Sequence, residues 1–139
     1  MPLKIKMKPG EKIIVNGAVL ENTGPEAMLA VHNRAKILRS RDIITEAEAN
    51  TPARKIYFAI QGAYIFSETE DTYLELFNDL LLQYIGAAPS AAALAAELRA
   101  LVDSREYYQA LRTATKLIAH EDERVAYVKE RGSGLRQGS

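Results

Sequence analysis

Apolar and polar positions alternate with a period of two along the N-terminal part of the chain, and the period becomes helical beyond Asp42. Leu3, Ile5 and Met7 alternate with Lys4, Lys6 and Lys8, which puts apolar side chains on one face of a strand and ammonium groups on the other. Pro9-Gly10 is a turn pair, and Ile13 to Val15 form a β-branched run. Asn16-Gly17 supplies two residues that tolerate positive φ, as a type I′ hairpin requires, and Ala18 to Leu20 return as a third strand. This stretch predicts a small sheet with one apolar face, too small to be stable alone. After the turn cluster Asn22 to Pro25, Glu26 to His32 read as a fourth strand and Lys36 to Arg39 as a fifth. Such short, evenly spaced strands favour an antiparallel sheet or a half-barrel.

The helical part opens with a short turn at Thr45, Glu46 and Glu48, followed by a stronger signal. Thr51-Pro52 is an N-cap followed by proline at the first helical position. The helix it starts, Ala53 to Phe66, has apolar side chains all round its axis and is expected to be buried between the sheet and the remaining helices. Ser67 to Asp71 make an acidic entrance to a helix with a broad stripe from Tyr73 to Ile85, ended by Gly86 and Pro89. Ser90 is expected to cap a third helix, with the stripe Leu94, Leu98, Leu101 and Val102. Asp103 or Ser104 is expected to cap a fourth, with Tyr107, Leu111, Ala114, Ile118 and Val125. The expected fold is α+β: a single domain, residues 1–139, in two layers. A β-rich basic part (1–41) packs on a helical part (42–131) of about four helices, and a flexible tail (132–139) follows.

Composition supports an ordinary packed core, with 47% hydrophobic and 26% charged residues. There is no cysteine, which excludes disulfides, thiolate metal sites and a cysteine nucleophile. No run approaches the roughly 20 apolar residues of a membrane helix, and the opening alternates instead of building a secretory apolar block. A cytoplasmic location away from the membrane is the expectation. The net charge is zero but unevenly spread: through Ile60 ten cations stand against six anions, a net +4, leaving −4 for the rest. This predicts an anion-facing first half and an acidic helical layer.

Catalysis is not expected, and neither is a metal or cofactor. His32 and His120 are far apart, and His120-Glu121-Asp122-Glu123 reads first as a solvated helix face. No nucleophile elbow, phosphate-loop pattern or dinucleotide fingerprint occurs. The basic residues are the main lead: Lys4, Lys6 and Lys8 on one strand face, then Arg34, Lys36, Arg39 and Arg41. Cations in rows neutralise phosphates and release counterions. Lysines on an exposed strand equally protect its edge from aggregation. Arg54 and Lys55 stand in the first turn of a helix, where cations oppose the helix dipole. Either they pair with Glu46 and Glu48 to hold the loop, or they complete a phosphate site at the helix start. The aromatics Tyr57, Phe58, Tyr64, Tyr73 and Phe77 lie in helical stripes and read as core, not as platforms for bases.

The opening MPLKIKMKPGEKIIVNGAVLEN, then NRAKILR from Asn33 to Arg39, then DIITEAEANTPARKIYFAIQ from Asp42 to Gln61, resemble the FlbT family of flagellum-biosynthesis regulators. The resemblance covers most of the chain to about the last helix, and NGAVLEN and TPARKIYF carry it most specifically. It implies a post-transcriptional regulator that associates with the 5′ untranslated region of flagellin messenger RNA and restrains its translation or hastens its decay. In some relatives the effect on flagellin is positive. The family supplies no catalytic residues to carry over. Lys8 to Val19 also resemble the glycine-glutamate turn of the small carbon-storage-regulator RNA-binding proteins, while nothing here matches the C-terminal strand with which those proteins contact RNA. Two classes of function therefore compete. One is RNA binding by the basic N-terminal sheet, with a flagellin mRNA leader as partner. The other is a protein-interaction module that docks flagellin or another flagellar regulator. A homo-oligomer through the lysine-flanked first strand is compatible with both.

Overall fold

The computed structural model describes the backbone of residues 2–138 and the side chains of residues 2–126. Five strands come first: β1 (Leu3–Met7), β2 (Lys12–Val15), β3 (Ala18–Glu21), β4 (Ala27–Val31) and β5 (Ile37–Arg39). Four helices follow: α1 (Pro52–Ile65), α2 (Glu70–Ala87), α3 (Ala92–Asp103) and α4 (Tyr107–Gly138). The expected tail from Gly132 to Ser139 has its side chains outside the described residues.

Asn16 and Gly17 both have positive φ, 50° and 85°, and close the β2–β3 hairpin that the sequence predicts. The pairing of β1 departs from prediction. It does not join β2 in one sheet; it pairs antiparallel with β4, Ile5 opposite Leu29, while β2 lies between β3 and β5. The β2–β3 ladder continues through Gly10 N–H to the Asn22 carbonyl (2.7 Å) and Asn22 N–H to that of Glu11 (3.0 Å). There both chains turn, and the ladder resumes as β1–β4. The result is one long ribbon bent over on itself. Pro9-Gly10 makes the corner instead of a hairpin, with Gly10 at φ +78°. The Asn22 side-chain amide donates to the Met7 carbonyl at 3.0 Å and holds the bend.

The bend divides the expected sheet in two, and the helices pack on the strands in the expected α+β arrangement. Ile5, Met7 and Ile13 form a small core between the two sheets. On the opposite face of β2 and β5, Ile14 and Leu38 join the main core with the helices. Successive residues of β2 thus serve two cores, because side chains alternate along a strand.

α1 begins where Thr51 caps it, the Thr51 hydroxyl accepting from Arg54 N–H, and nine of its fourteen residues are buried. That agrees with an apolar helix at the centre of the molecule. Ser90 does not cap α3: it lies inside a 3-10 turn, Pro89–Ala91, Ala91 holds the cap position, and the Ser90 hydroxyl meets Nε2 of His120 at 3.0 Å. Neither Asp103 nor Ser104 precedes α4 directly, since Asp103 ends α3 and the chain reverses through Arg105 at φ 59°. No described helix is long and apolar enough to cross a membrane.

Candidate nucleic-acid interface

A polar stripe on α1 places the segment from β5 to Ile44. Tyr57, Gln61 and Tyr64 stand four and then three residues apart, on one side of the helix. The Tyr57 hydroxyl donates to the Asp42 carbonyl at 2.5 Å. Gln61 clasps Ile44, receiving its N–H and donating to its carbonyl, both at 2.9 Å. Ile37 N–H donates to the Tyr64 hydroxyl at 3.1 Å. Burial pushes the Tyr57 hydroxyl up to about 12, so it stays a neutral donor. Tyr64 is shifted upward for the same reason. The sequence reading of these tyrosines as core misses that their hydroxyls hold the basic segment in place.

Beside this segment run two adjoining clefts, of about 430 and 670 Å³, which share Arg41, Asp42 and Tyr108. Lys4 and Ile37 line the first, and Arg112 and Lys116 line the second. Arg112, Lys116 and Lys4 are exposed, and none has an ion-pair partner among the described residues. The Arg41 side chain is 74% exposed, its nearest carboxylate being Asp42 at 4.0 Å. Tyr108 is 43% exposed, between the cations. The trough therefore offers Lys4, Arg41, Arg112 and Lys116 and one exposed aromatic ring, Tyr108, against the single carboxylate of Asp42 among its described lining residues. Cations that follow a groove track a phosphate backbone, and an exposed ring offers a stacking face to a base.

Of the residues singled out by sequence, Lys4 and Arg41 bring exposed charge to the trough, Arg41 with Asp42 beside it at 4.0 Å. Arg39 also borders the first cleft, but its guanidinium donates to the Lys6 carbonyl (2.6 Å) and pairs with Glu11 (3.4 Å), tying β5 to the ribbon's bend. Its buried Nε has no hydrogen-bond partner among the described residues. The Glu11 carboxyl is held below the usual range, first by the N–H of Lys8 and then by Arg39. Lys6 lies on the outer face of β1 and meets Glu26 at 3.3 Å, with Lys8 at the corner. Arg34 is exposed in the β4–β5 connection, and Lys36 donates to the Ser67 hydroxyl at 3.0 Å. Arg54 faces neither Glu46 nor a vacant helix start. It binds Asp122 through two N–H groups, at 3.1 and 3.2 Å, and Glu121 at 3.4 Å. Glu48 instead closes a box with Thr45: the Thr45 N–H donates to its carboxylate at 2.9 Å, and the Glu48 N–H donates to the Thr45 hydroxyl at 3.2 Å. Lys55 lines a separate, mostly apolar cleft of about 580 Å³ with Pro52, Leu80, Tyr84 and Val125.

Tyr108, Arg112 and Lys116 are the residues that sequence reasoning passed over. They recur every four residues on one face of α4, the face beside the Tyr107–Leu111–Ala114 stripe. The overall acidity of the second half hides this local basic row.

Fold and trough together define a small α+β domain with a basic groove between its bent ribbon and its last helix. The family model described as flagellar protein FlbT matches residues 3–125. The probable flagellum biosynthesis repressor protein FlbT of a Caulobacter species is 38% identical over 130 residues, 92% of this chain and 99% of that protein. The flagellum biosynthesis repressor protein FlbT of Caulobacter vibrioides is 37% identical, over 99% of this chain and 97% of its own length. The probable repressor FlbT 1 of Bradyrhizobium diazoefficiens is also 37% identical, over 88% of this chain and 84% of that one. No solved structure matches the chain at a significant level. The chain belongs to the FlbT family.

Proposed function

We propose that this protein represses flagellum biosynthesis after transcription. It binds the 5′ untranslated region of a flagellin mRNA in the cytoplasm, restraining translation or promoting decay of the message. Family membership and the relatives' names support the repressor part of this reading. The trough supports the RNA part: α4 carries Arg112 and Lys116 to the same groove as Lys4 and Arg41, with the exposed ring of Tyr108 among them. Such a groove takes single-stranded RNA, whose phosphates meet the cations and whose unstacked bases have faces free for Tyr108. Nothing in the reading requires catalysis.

A titration of the purified protein with a flagellin leader RNA at two salt concentrations tests it. Binding that weakens steeply with salt is expected. Binding that is absent, or indifferent to salt, removes the proposal.

A second reading rests on a different observation. The cleft at the head of α1, with Leu80, Tyr84 and Val125, is an apolar groove between helices, the kind of surface that receives a partner protein's apolar side chains. On that reading the protein docks flagellin or a flagellar regulator, and its effect on flagellin expression is indirect or positive. Wild-type protein that binds flagellin but not the leader RNA, with flagellin binding lost when the cleft is closed (Ala87→Phe), would support it.

A further inference from the structure

The bent ribbon leaves β4 with a free edge. In the two-stranded β1–β4 sheet, β4 pairs with β1 on one side, and among the described residues no other segment hydrogen-bonds to its outer side. Edge strands are normally protected by charge, proline or a bulge. β4 reads Ala27-Met28-Leu29-Ala30-Val31 and contains none of these. Met28 is 62% exposed and Leu29 38% exposed. Leu29 lies opposite Ile5, on the face that the small inter-sheet core occupies, yet nothing closes over it from the open side. A two-stranded sheet is also below the number of strands that is stable in water by itself.

From this edge we infer that β4 pairs antiparallel with β4 of a second copy, about a two-fold axis at Leu29. That register puts Leu29 beside Leu29 of the other copy, Met28 beside its Ala30 and Ala27 beside its Val31. The uncharged strand faces only uncharged residues. The flanking residues Glu26 and His32 fall opposite each other across the axis, twice, so at both ends an imidazole N–H can donate to a carboxylate. Glu26 already meets Lys6 at 3.3 Å on the outer face of the ribbon, and His32 of the other copy would extend that pair into a row. The pairing makes a four-stranded sheet, β1-β4-β4-β1, and each Leu29 covers the open flank of the other copy's core. Isologous contact about a two-fold axis is the commonest route to a closed oligomer. The β3 edge is less suited: it has four residues, ends in Glu21 and belongs to a sheet that already has three strands.

The absence of cysteine gives a direct test in the full-length protein. Directly opposed residues of an antiparallel pair have Cα atoms about 4.5–5.5 Å apart, within the span of roughly 4.4–6.8 Å that a disulfide bridges. Leu29→Cys is therefore expected to form a covalent dimer under mild oxidation, whereas Val19→Cys on β3 is expected to stay uncrosslinked. By analytical ultracentrifugation the wild-type protein is expected to sediment as a dimer, and Leu29→Lys, with helical content unchanged by circular dichroism, as a monomer. The inference is overturned by a wild-type protein that sediments as a monomer, or by crosslinking at residue 19 that equals or exceeds that at residue 29. It is equally overturned by a Leu29→Lys variant that remains dimeric. The Leu29→Cys change is small enough to keep the test valid if Leu29→Lys fails to fold.

Discussion

Glu121 fills the start of helix α1. Its Oε2 accepts a hydrogen bond from the Ala53 backbone N–H at 2.8 Å, while Oε1 meets Arg54 at 3.4 Å. A helix start is an anion site, and here the protein's own carboxylate, buried and sixty-eight residues downstream of Ala53, occupies it. Arg54, unfavourable beside the dipole alone, is held by that carboxylate and by Asp122.

This arrangement predicts the outcome of charge exchange. Replacing Glu121 by Ala leaves the Ala53 N–H unanswered and is expected to cost about 1.5–3 kcal/mol, the range for hydrogen bonds to charged groups. Arg54→Glu is expected to lower the melting temperature. Adding Asp122→Arg is expected to restore part of it, and adding Glu46→Arg to restore none. Thermal melts of the four proteins decide the matter. Rescue by residue 46 would mean that the clamp lies in the loop before α1 and not on α4.

Gly62 lies where α1 meets α2. A Cβ added there would overlap the ring of Tyr73, which itself stacks on Phe66 with centroids 6.2 Å apart. Alanine is the better helix former by about 1 kcal/mol, but overpacking costs about 1–3 kcal/mol. Gly62→Ala is therefore expected to be neutral to destabilising, with a melting temperature lower by up to several degrees and a loosened Phe66–Tyr73 pair. The double variant Gly62→Ala, Tyr73→Ala should then lose less than the sum of its two single changes. A stabilised Gly62→Ala protein would show that the ring moves aside freely.

Glu70 ties the α3–α4 turn to the start of α2. The Tyr107 hydroxyl and Arg105 each donate to its carboxylate at 2.5 Å. These hold the Glu70 carboxyl below its ordinary range, the tyrosine hydrogen bond first and Arg105 after it. A depressed carboxyl stabilises the fold in full above its unfolded value and loses that contribution as pH falls through the folded one. Unfolding at a series of acidic pH values should therefore show a loss of stability below the ordinary carboxylate range, and Glu70→Gln should flatten it. An unchanged acid limb in the variant would assign that loss to other carboxylates.

Much of the fold is legible in the residues themselves. Asn16-Gly17 gives the hairpin, Thr51-Pro52 the start of α1, and the apolar spacing from Tyr73 to Ile85 the second helix, because each is a local preference of the chain. The partner of β1 is not local. Met7 alternates correctly whether its strand pairs with β2 or β4, and the choice rests on Asn22 and Arg39, distant residues that hold the bend. The site is less legible. Lys4 and Arg41 stand out as cations, but so do Arg39 and Arg54, whose charges turn out to be spent on Glu11, Glu121 and Asp122. Arg112 and Lys116 join the trough only because α4 packs beside the β5 segment, a juxtaposition no spacing along the chain encodes.

The most direct measurement compares two variants with the wild-type protein in titrations of one flagellin leader RNA over a range of salt. One variant replaces Arg41, Arg112 and Lys116 by alanine, and the other replaces Lys6 and Lys8. If the trough carries the RNA, the first variant should bind weakly, and its salt slope should fall by about two, roughly 0.7 for each lost phosphate contact on a single strand. The second should bind nearly as the wild type does. Equal binding by all three, or a loss confined to the Lys6 and Lys8 variant, would contradict the account.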